Sequence, residues 1–175
     1  AYMATHDSLT KLPNRALFGE HLNLALSQAQ RNSAQVGVML LDLDKFKPVN
    51  DTLGHKAGDQ LLIQVSSCIR DLLRKSDTVA RLGGDEFMVL LPNLSHENEV
   101  DQVAQKILYE IERPFVLDGN EVRISTSIGI AIYPEDGMTG LVLIKRADAA
   151  MYAAKNASRN TWRRYVHGMK MNVRD

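Results

Sequence analysis

One short run near the middle of the chain combines the residue types that bind phosphate and metal, Gly83-Gly84-Asp85-Glu86-Phe87. Strand-like runs flank it at 77–82 and 87–91, so the glycines are expected in a tight hairpin turn. Glycine lets a bulky anion reach backbone N–H groups, and the carboxylates beside it are hard oxygen ligands. The run therefore predicts a magnesium–nucleotide site, although an acidic hairpin on a solvated edge would contain the same residues.

A second group of acidic residues follows the continuously apolar run Val36–Leu41, which is typical of a fully buried strand. Asp42 lies at the end of this strand, where a rigid scaffold presents side chains for chemistry, but a solvated strand end would look the same. The segment 42–51 interleaves acids, lysines and an asparagine, enough for contacts to metal, phosphate and base. Asp59 lies at the start of the next helix, where it could cap the N-terminus or accept hydrogen bonds from a guanine edge.

The overall composition indicates one globular domain. The chain has 175 residues, of which 45% are hydrophobic and 24% are charged. Acidic and basic residues balance at 21 each, so no overall field favours nucleic acid or anionic lipid, and a polyphosphate site must be local. The single cysteine, Cys68, fits a reducing compartment, and no apolar run is long enough to cross a bilayer. We expect a cytoplasmic fragment without direct membrane contact, although the full-length protein could be membrane-attached.

The hydrophobic periodicity predicts an α+β fold with a central mixed, mostly antiparallel sheet flanked by helices. The order of the predicted helices and strands resembles that of a ferredoxin-like palm domain with an added β-hairpin. Segment 45–56 is expected to be a polar loop. Helices are predicted at 15–30, 100–111 and 139–156, and another follows the loop with its apolar face between Leu61 and Leu73. Strands are predicted at 36–41, 77–82, 87–91, 114–117, 121–133 and 162–166.

Blocks along nearly the whole chain, in the order of a known family, resemble the GGDEF domain of diguanylate cyclases. These blocks are residues 7–15, 42–51, 54–59, 83–87, 127–131 and 147–160. On this resemblance we identify residues 1–166 as a GGDEF domain and residues 167–175 as a C-terminal tail. The tail faintly resembles the linker that leads into EAL phosphodiesterase domains, so a following EAL domain is one expectation.

The resemblance implies a metal site. Asp42 and Asp85 correspond to the acids that ligate Mg²⁺, and the backbone carbonyl of Leu43 completes the protein ligands. Glu86 is expected as a second metal contact, and Asp85 and Glu86 occupy the family's catalytic acidic positions. An incomplete shell of oxygen ligands suits Mg²⁺, which keeps water and takes phosphate oxygens, and Mn²⁺ could replace it.

The resemblance also implies the contacts with the substrate GTP. Asn50 and Asp59 occupy the positions that hold the guanine edge, and the Gly83-Gly84 turn approaches the phosphates. The triphosphate is expected to meet three cationic side chains, Lys47, Lys155 and Arg159. Without the family, the last two would be ordinary favourable charges at a helix C-terminus. Ser158 stands where the family commonly has glycine, so a left-handed backbone there would strain the serine and displace Arg159.

The implied reaction joins two GTP molecules into cyclic di-GMP, a bacterial second messenger, with release of pyrophosphate. One domain holds one GTP, so two domains must face each other as a homodimer. We expect an upstream sensory domain to control this dimerisation. The segment Arg74-Lys75-Ser76-Asp77 resembles the family's RxxD site, so Arg74 and Asp77 are expected to bind the product and inhibit the enzyme; otherwise they are a solvated helix end.

The sequence is also compatible with two other functions. The chain could be a regulatory module that binds GTP or cyclic di-GMP without turnover and controls an attached domain such as an EAL phosphodiesterase. It could also be a nucleotide-binding fold with another polymerase-like activity. The intact set of site residues favours catalysis over the first alternative: Asp42, Asn50, Asp59, Asp85 and Glu86.

Overall fold

A computed structural model describes residues 2–171 of the chain. The helices are α1 (Tyr2–Thr5), α2 (Arg15–Asn32), α3 (Phe46–Leu53), α4 (His55–Leu72), α5 (Asn98–Glu112) and α6 (Gly140–Ala157). The strands are β1 (Gln35–Asp44), β2 (Thr78–Gly83), β3 (Glu86–Leu94), β4 (Phe115–Leu117), β5 (Asn120–Val122), β6 (Ser125–Tyr133) and β7 (Thr161–Arg164). Within residues 2–171, no helix has both the length and the hydropathy needed to span a membrane.

The main sheet has five strands in the order β2-β3-β1-β6-β7, and β4 and β5 form a separate two-stranded sheet. All neighbours in the main sheet are antiparallel except β6 and β7, which are parallel and joined through α6. The predicted α+β fold with a mixed, mostly antiparallel sheet is confirmed. Because β1 lies in the centre, it is hydrogen-bonded along both edges.

Helices cover both faces of the sheet. Side chains alternate along β1, so Met39, Leu41 and Leu43 enter one core, which also contains residues of α4 and α5. Val38 and Leu40 enter the opposite core, which also contains residues of α2 and α6. The continuously apolar run of β1 thus reflects burial on both faces. This packing fixes the end of β1, where the acidic residues begin.

The predicted polar loop at 45–56 is wrong, because most of it forms the helix α3. Lys45 adopts a left-handed conformation with φ 67° and begins the helix. Pro48 lies in the first turn, where its missing N–H removes no helical hydrogen bond. Val49 is buried and Phe46 packs against the core, so a few apolar contacts hold this otherwise polar helix in place beside α4.

The prediction of one continuous strand at 121–133 is also wrong, because the structure has two separate strands there, β5 and β6. Residues 120–122 pair with β4 in the small sheet, whereas the chain joins β1 only from Ser125 onwards. Arg123 and Ile124 lie between the two strands, where the chain changes its pairing partner. The last strand ends at Arg164, shorter than the predicted 162–166.

Gly129 provides a test of how tightly α6 packs on the sheet. A Cβ atom at Gly129 would lie 2.0 Å from the carbonyl oxygen of Ala147 and 2.2 Å from the amide nitrogen of Met151. Since these are backbone atoms, Gly129→Ala should lower the free energy of unfolding by about 3 kcal/mol. Urea denaturation followed by circular dichroism measures this loss.

The matched control is Gly19→Ala, because a Cβ at Gly19 would meet no atom within 4 Å. In the interior of α2, alanine should raise stability by up to about 1 kcal/mol through its helix propensity. A loss for Gly129→Ala as small as the effect at Gly19 would contradict close packing of α6 on β6.

Candidate functional site

The end of β1 and the turn between β2 and β3 lie side by side. Asp42 lies opposite Glu86 in the antiparallel register, and the Leu43 N–H donates to the carbonyl oxygen of Asp85 at 3.2 Å. The turn itself consists of Gly84 and Asp85, because Gly83 still pairs with Glu86. The structure therefore brings together the two acidic segments that the sequence predicts to share a cation.

Gly83, the last residue of β2, and Gly84, the first residue of the turn, both have positive φ angles, 139° and 51°. A Cβ at either position would meet no atom within 4 Å, so the backbone conformation, not space, explains glycine here. Both residues are exposed, which leaves room for a ligand against the turn.

The carboxylate of Asp42 pairs with a lysine through one oxygen, whereas its other oxygen has no hydrogen-bond partner among the described residues. Lys155, in the last turn of α6, donates to Asp42 Oδ2. Asp42 Oδ1 is buried and has no hydrogen-bond partner among the described residues. A buried carboxylate oxygen without a partner is costly, and a metal ion would satisfy it.

Burial, and after it repulsion from the neighbouring Asp42 carboxylate, raise the pKa of Asp85 to about 7. The backbone N–H of Asp85 and the charge of Lys155 act in the opposite direction. Two carboxylates in this arrangement favour a bound proton or a bound cation over two free negative charges.

The residues present fit a divalent cation bound by few protein ligands. Asp42 and Asp85 supply carboxylates, and Leu43, whose side chain is buried in the core, can supply only its backbone. Glu86 lies across from Asp42 and is half-buried. Among residues 2–171 no group of three or more His, Cys, Asp or Glu side chains is arranged to hold a metal. Water or phosphate oxygens would therefore complete the shell, as Mg²⁺ prefers.

Asn50 and Asp59 come from the neighbouring helices α3 and α4. The Oδ1 atom of Asn50 is buried without a partner, and a Cβ at Gly58 would lie 1.7 Å from it. The glycine therefore makes room for the Asn50 amide. Asp59 is exposed and does not cap α4, which begins at His55. An unpartnered amide oxygen near an exposed carboxylate suits a ligand that carries several N–H donors.

Lys47 and Arg159 are both exposed, on α3 and beyond the end of α6. The backbone strain expected at Ser158 is absent, because its φ is −151°. The left-handed residues are instead Arg159 and Asn160, with φ 55° and 46°. Serine at position 158 is therefore compatible with this turn.

Arg74 and Asp77 lie apart from these residues, between α4 and β2. The Arg74 N–H donates to Asp77 Oδ2 at 2.9 Å, and its guanidinium lies 3.3 Å from Oδ1. Arg74 is 57% exposed. Both residues line a cavity of about 370 Å³ that also includes Arg70, Lys75 and His21 but none of the residues of the metal site.

Arg81, which was not among the predicted site residues, connects the N-terminal segment to the turn. Its guanidinium donates to both oxygens of Asp7 at 3.0 and 3.1 Å, and to the Gly84 carbonyl oxygen at 2.8 and 3.0 Å. Burial alone would raise the pKa of Asp7, but hydrogen bonds from Thr10 and Arg81 lower it. The position of Arg81, just before the glycine pair on a strand, was the available signal.

Comparison with known proteins identifies the family. A sequence model described as diguanylate cyclase, GGDEF domain, matches residues 4–161. The chain therefore belongs to the GGDEF family of diguanylate cyclases, and the family predicted from the sequence is confirmed. Members of this family generally need a divalent metal ion.

Individual relatives are similar over nearly the whole chain. The bifunctional diguanylate cyclase/cyclic di-GMP phosphodiesterase MucR of Pseudomonas aeruginosa is 47% identical over 99% of this chain and 25% of MucR. The diguanylate cyclase TpbB of the same species is 47% identical over 93% of this chain and 38% of TpbB. The chain thus spans well under half the length of these relatives.

Solved structures agree with the fold. A TpbB fragment comprising only the GGDEF domain has a TM-score of 0.90 at 46% identity, covering 92% of this chain and 94% of that fragment. The coiled coil and GGDEF domain of DgcB from Caulobacter crescentus, solved in complex with cyclic di-GMP, has a TM-score of 0.83 at 32% identity. That match covers 92% of this chain and 85% of the DgcB chain.

The pKa of Asp85 predicts a stability that falls with pH when metal is absent. Its value of about 7 in the folded protein exceeds the ordinary value of 3.8, so the folded state binds the proton more tightly. The free energy of unfolding should therefore decrease as the pH rises between these values. Because water reaches this half-buried site and screens the charge, we expect a loss of about 1 to 2 kcal/mol.

Urea denaturation in chelator across this pH range measures the effect. Asp85→Asn should flatten the pH dependence, whereas the control Asp71→Asn, an exposed acid on α4, should leave it as in the wild type. Equal slopes in the wild type and Asp85→Asn would show that Asp85 does not carry the effect.

Proposed function

We propose that this domain condenses two GTP molecules into cyclic di-GMP and releases two pyrophosphates, with Mg²⁺ as the metal. The observation that carries the proposal is the meeting of Asp42 and Asp85 at the end of β1, where one buried oxygen of Asp42 has no partner. A metal bound there would polarise the phosphate and favour loss of the proton from the attacking 3′-hydroxyl. Mn²⁺ has the same preference for oxygen ligands and could replace Mg²⁺.

The protein residues supply binding and orientation. In this proposal Asn50 and Asp59 bind the guanine edge, with the carboxylate accepting from the ring N–H groups. The backbone at the Gly83-Gly84 turn approaches the phosphates, and Glu86 lies beside Asp85 as a second acidic contact. The 3′-oxygen of one GTP attacks the α-phosphorus of the other, a new P–O bond forms, and the bond to the pyrophosphate oxygen breaks.

Three cations offset the charge of the triphosphate in this proposal: Lys47, Lys155 and Arg159. Lys155 is paired with Asp42 in the absence of ligand. When a cation takes Asp42, the ammonium group of Lys155 loses part of its attraction to the carboxylate and can pair with an incoming phosphate instead. After this exchange the metal neutralises Asp42 and Lys155 neutralises part of the phosphate charge. The triphosphate is thus compensated locally, although the chain as a whole carries no net charge.

Catalysis requires two copies of the domain in this proposal. Each GTP must present its 3′-hydroxyl to the α-phosphate of the other, and each domain provides one set of contacts. We therefore propose a homodimer with the two sites face to face, controlled by an upstream sensory domain. We further propose residues 1–166 as the catalytic domain, acting in the cytoplasm, and residues 167–175 as a tail leading to a following domain. Of this tail, residues 172–175 lie outside the described part.

The direct test is incubation with GTP and Mg²⁺ followed by chromatography for cyclic di-GMP. Asp85→Asn should lower the rate at least about 1,000-fold, because it removes a charged ligand at the reacting phosphate. Asp71→Asn, an exposed acid on α4, is the matched control and should retain wild-type activity. Specific activity should rise with protein concentration, since two copies meet for each turnover.

An active Asp85→Asn variant would contradict the assignment of this residue. GTP binding by the wild type without any product would instead support the regulatory alternative. That alternative is favoured by one observation: two relatives that are 42% identical over 90% and 98% of this chain, NbdA of Pseudomonas aeruginosa and PdeR of Escherichia coli, are named only as cyclic di-GMP phosphodiesterases. In a two-domain protein, the cyclase half could act by binding GTP alone.

We also propose that cyclic di-GMP inhibits the enzyme at Arg74 and Asp77. The guanidinium of Arg74 is exposed and can contact a phosphate or stack on guanine. The side chain of Asp77 is 2% exposed and pairs with Arg74, so it can accept from the guanine edge once this ion pair opens. Both line a cavity that excludes the metal site, so product bound there would leave the metal ligands free. In the absence of ligand the two side chains pair with each other.

Arg74→Ala should raise the concentration of cyclic di-GMP that halves the rate by about tenfold or more, because a charge-assisted contact is lost. The initial rate without product should stay near that of the wild type. Arg113→Ala is the matched control, since Arg113 is also exposed and forms a similar ion pair with Glu110 at 3.4 Å. Unchanged inhibition in Arg74→Ala would remove this site from the proposal.

A further inference from the structure

The most deeply buried acid near the site belongs to none of the roles above. Asp44 is 3% exposed, and it is the only ionisable residue among the buried polar residues of the described chain. Its Oδ2 accepts from the Ser125 hydroxyl at 2.6 Å and from the Asn160 N–H at 3.0 Å. Its Oδ1 accepts from the Ser127 hydroxyl at 2.8 Å and lies 3.8 Å from a guanidinium nitrogen of Arg159.

Asp42 and Asp44 lie on the same face of β1, because side chains two residues apart on a strand point to the same side. Each faces a cation from the end of α6 or just beyond it. Asp42 pairs with Lys155, and Asp44 faces Arg159. The two cations assigned to the triphosphate on this side are thus both held by acids of one rigid strand.

The turn that carries Arg159 has an unusual backbone. Arg159 and Asn160 are consecutive non-glycine residues with φ 55° and 46°, a conformation that L-residues seldom adopt in succession. Such a turn persists only where its surroundings hold it. Asp44 holds the Asn160 N–H, and Glu112 accepts from the Asn160 side chain at 2.7 Å.

Two serines hold Asp44 in turn. Ser125 and Ser127 lie on β6, which pairs with β1 along its whole length. The carboxylate is therefore fixed in position by β6 and in turn contacts both the backbone and the charge of the segment 159–160. A buried carboxylate with donors on both oxygens has a fixed direction, unlike an exposed one.

We propose that Asp44 is a positioning residue that holds the left-handed turn at 159–160 and thereby aims the guanidinium of Arg159 at the triphosphate. Asp44 itself does not touch the nucleotide. This inference rests on the proposed function, because it assumes that Arg159 contacts the triphosphate. In this proposal the end of β1 has two separate roles: Asp42 binds the metal, and Asp44 supports phosphate recognition through Arg159.

A purely structural role for Asp44 predicts a different outcome. If Asp44 only stabilised the fold, its loss would weaken all ligands alike or lower stability alone. If Asp44 aims Arg159, loss of Asp44 weakens the binding of ligands that carry phosphates and leaves the binding of guanosine nearly unchanged. Its loss then has no further effect on binding in a variant that already lacks Arg159. A double-mutant cycle read out by binding separates the two roles.

The ligand is a GTP analogue with a methylene group between the α- and β-phosphates, so that binding is measured without turnover, and guanosine is the comparison. Isothermal titration calorimetry with Mg²⁺ compares Asp44→Asn, Arg159→Gln and the double variant. Asp44→Asn should weaken the analogue about tenfold and guanosine by less than about twofold. In the Arg159→Gln background, Asp44→Asn should add less than about a twofold loss.

Two further variants keep the test decisive. Ser127→Ala removes the hydroxyl donor to the oxygen that faces Arg159 and keeps the charge of Asp44, so it should give a weaker loss of the same kind, about threefold. It carries the test if Asp44→Asn does not fold. Arg163→Gln, an exposed arginine on β7, controls for loss of a nearby positive charge and should leave both affinities unchanged.

Equal losses for the analogue and guanosine would overturn the positioning role. A full additional loss from Asp44→Asn in the Arg159→Gln background would overturn it as well. Failure of the wild-type protein to bind the analogue would overturn both this inference and the proposed function. Wild-type binding with independent effects of the two residues would overturn this inference alone.

Discussion

The repulsion between two carboxylates held side by side is the constraint on which this site depends. Asp42 and Asp85 meet at the end of β1, burial and repulsion raise the pKa of Asp85 to about 7, and one oxygen of Asp42 stays unpartnered. Lys155 offsets part of this unfavourable charge. The unfavourable charge lowers stability locally and favours a bound proton or cation, and such locally unfavourable groups are common at functional sites.

The rest of the fold keeps these charges from moving apart. β1 is the central strand, bonded to β3 and β6 and packed between two cores, so its end cannot shift without breaking both. The turn that carries Asp85 is tied to β1 by the Leu43 N–H and to the N-terminal segment by Arg81, which also binds Asp7. A displacement of the N-terminal segment is therefore coupled to the turn by direct contacts.

Much of the fold follows from local sequence signals. The apolar run of β1 and the periodic faces of α4 and α5 indicated the central strand and one helical layer, because burial sets the spacing of apolar residues. The helix α3 was not predicted, since its polar composition hides the few contacts of Phe46 and Val49. The break between β5 and β6 was missed because it reflects a change of pairing partner, which no local pattern encodes.

By itself, the sequence determined the family, the acidic and cationic residue types of the site, and the glycine turn that needs positive φ. Only the tertiary structure decided which charges face each other. Lys155 and Asp42 are 113 positions apart, and Ser125 and Asp44 are 81 apart, so their contacts arise from strand pairing and from the packing of α6. The tertiary structure also decided that the left-handed residues are Arg159 and Asn160 rather than Ser158. The Asn160 N–H donates to Asp44, which is distant in the chain, and this contact holds the turn.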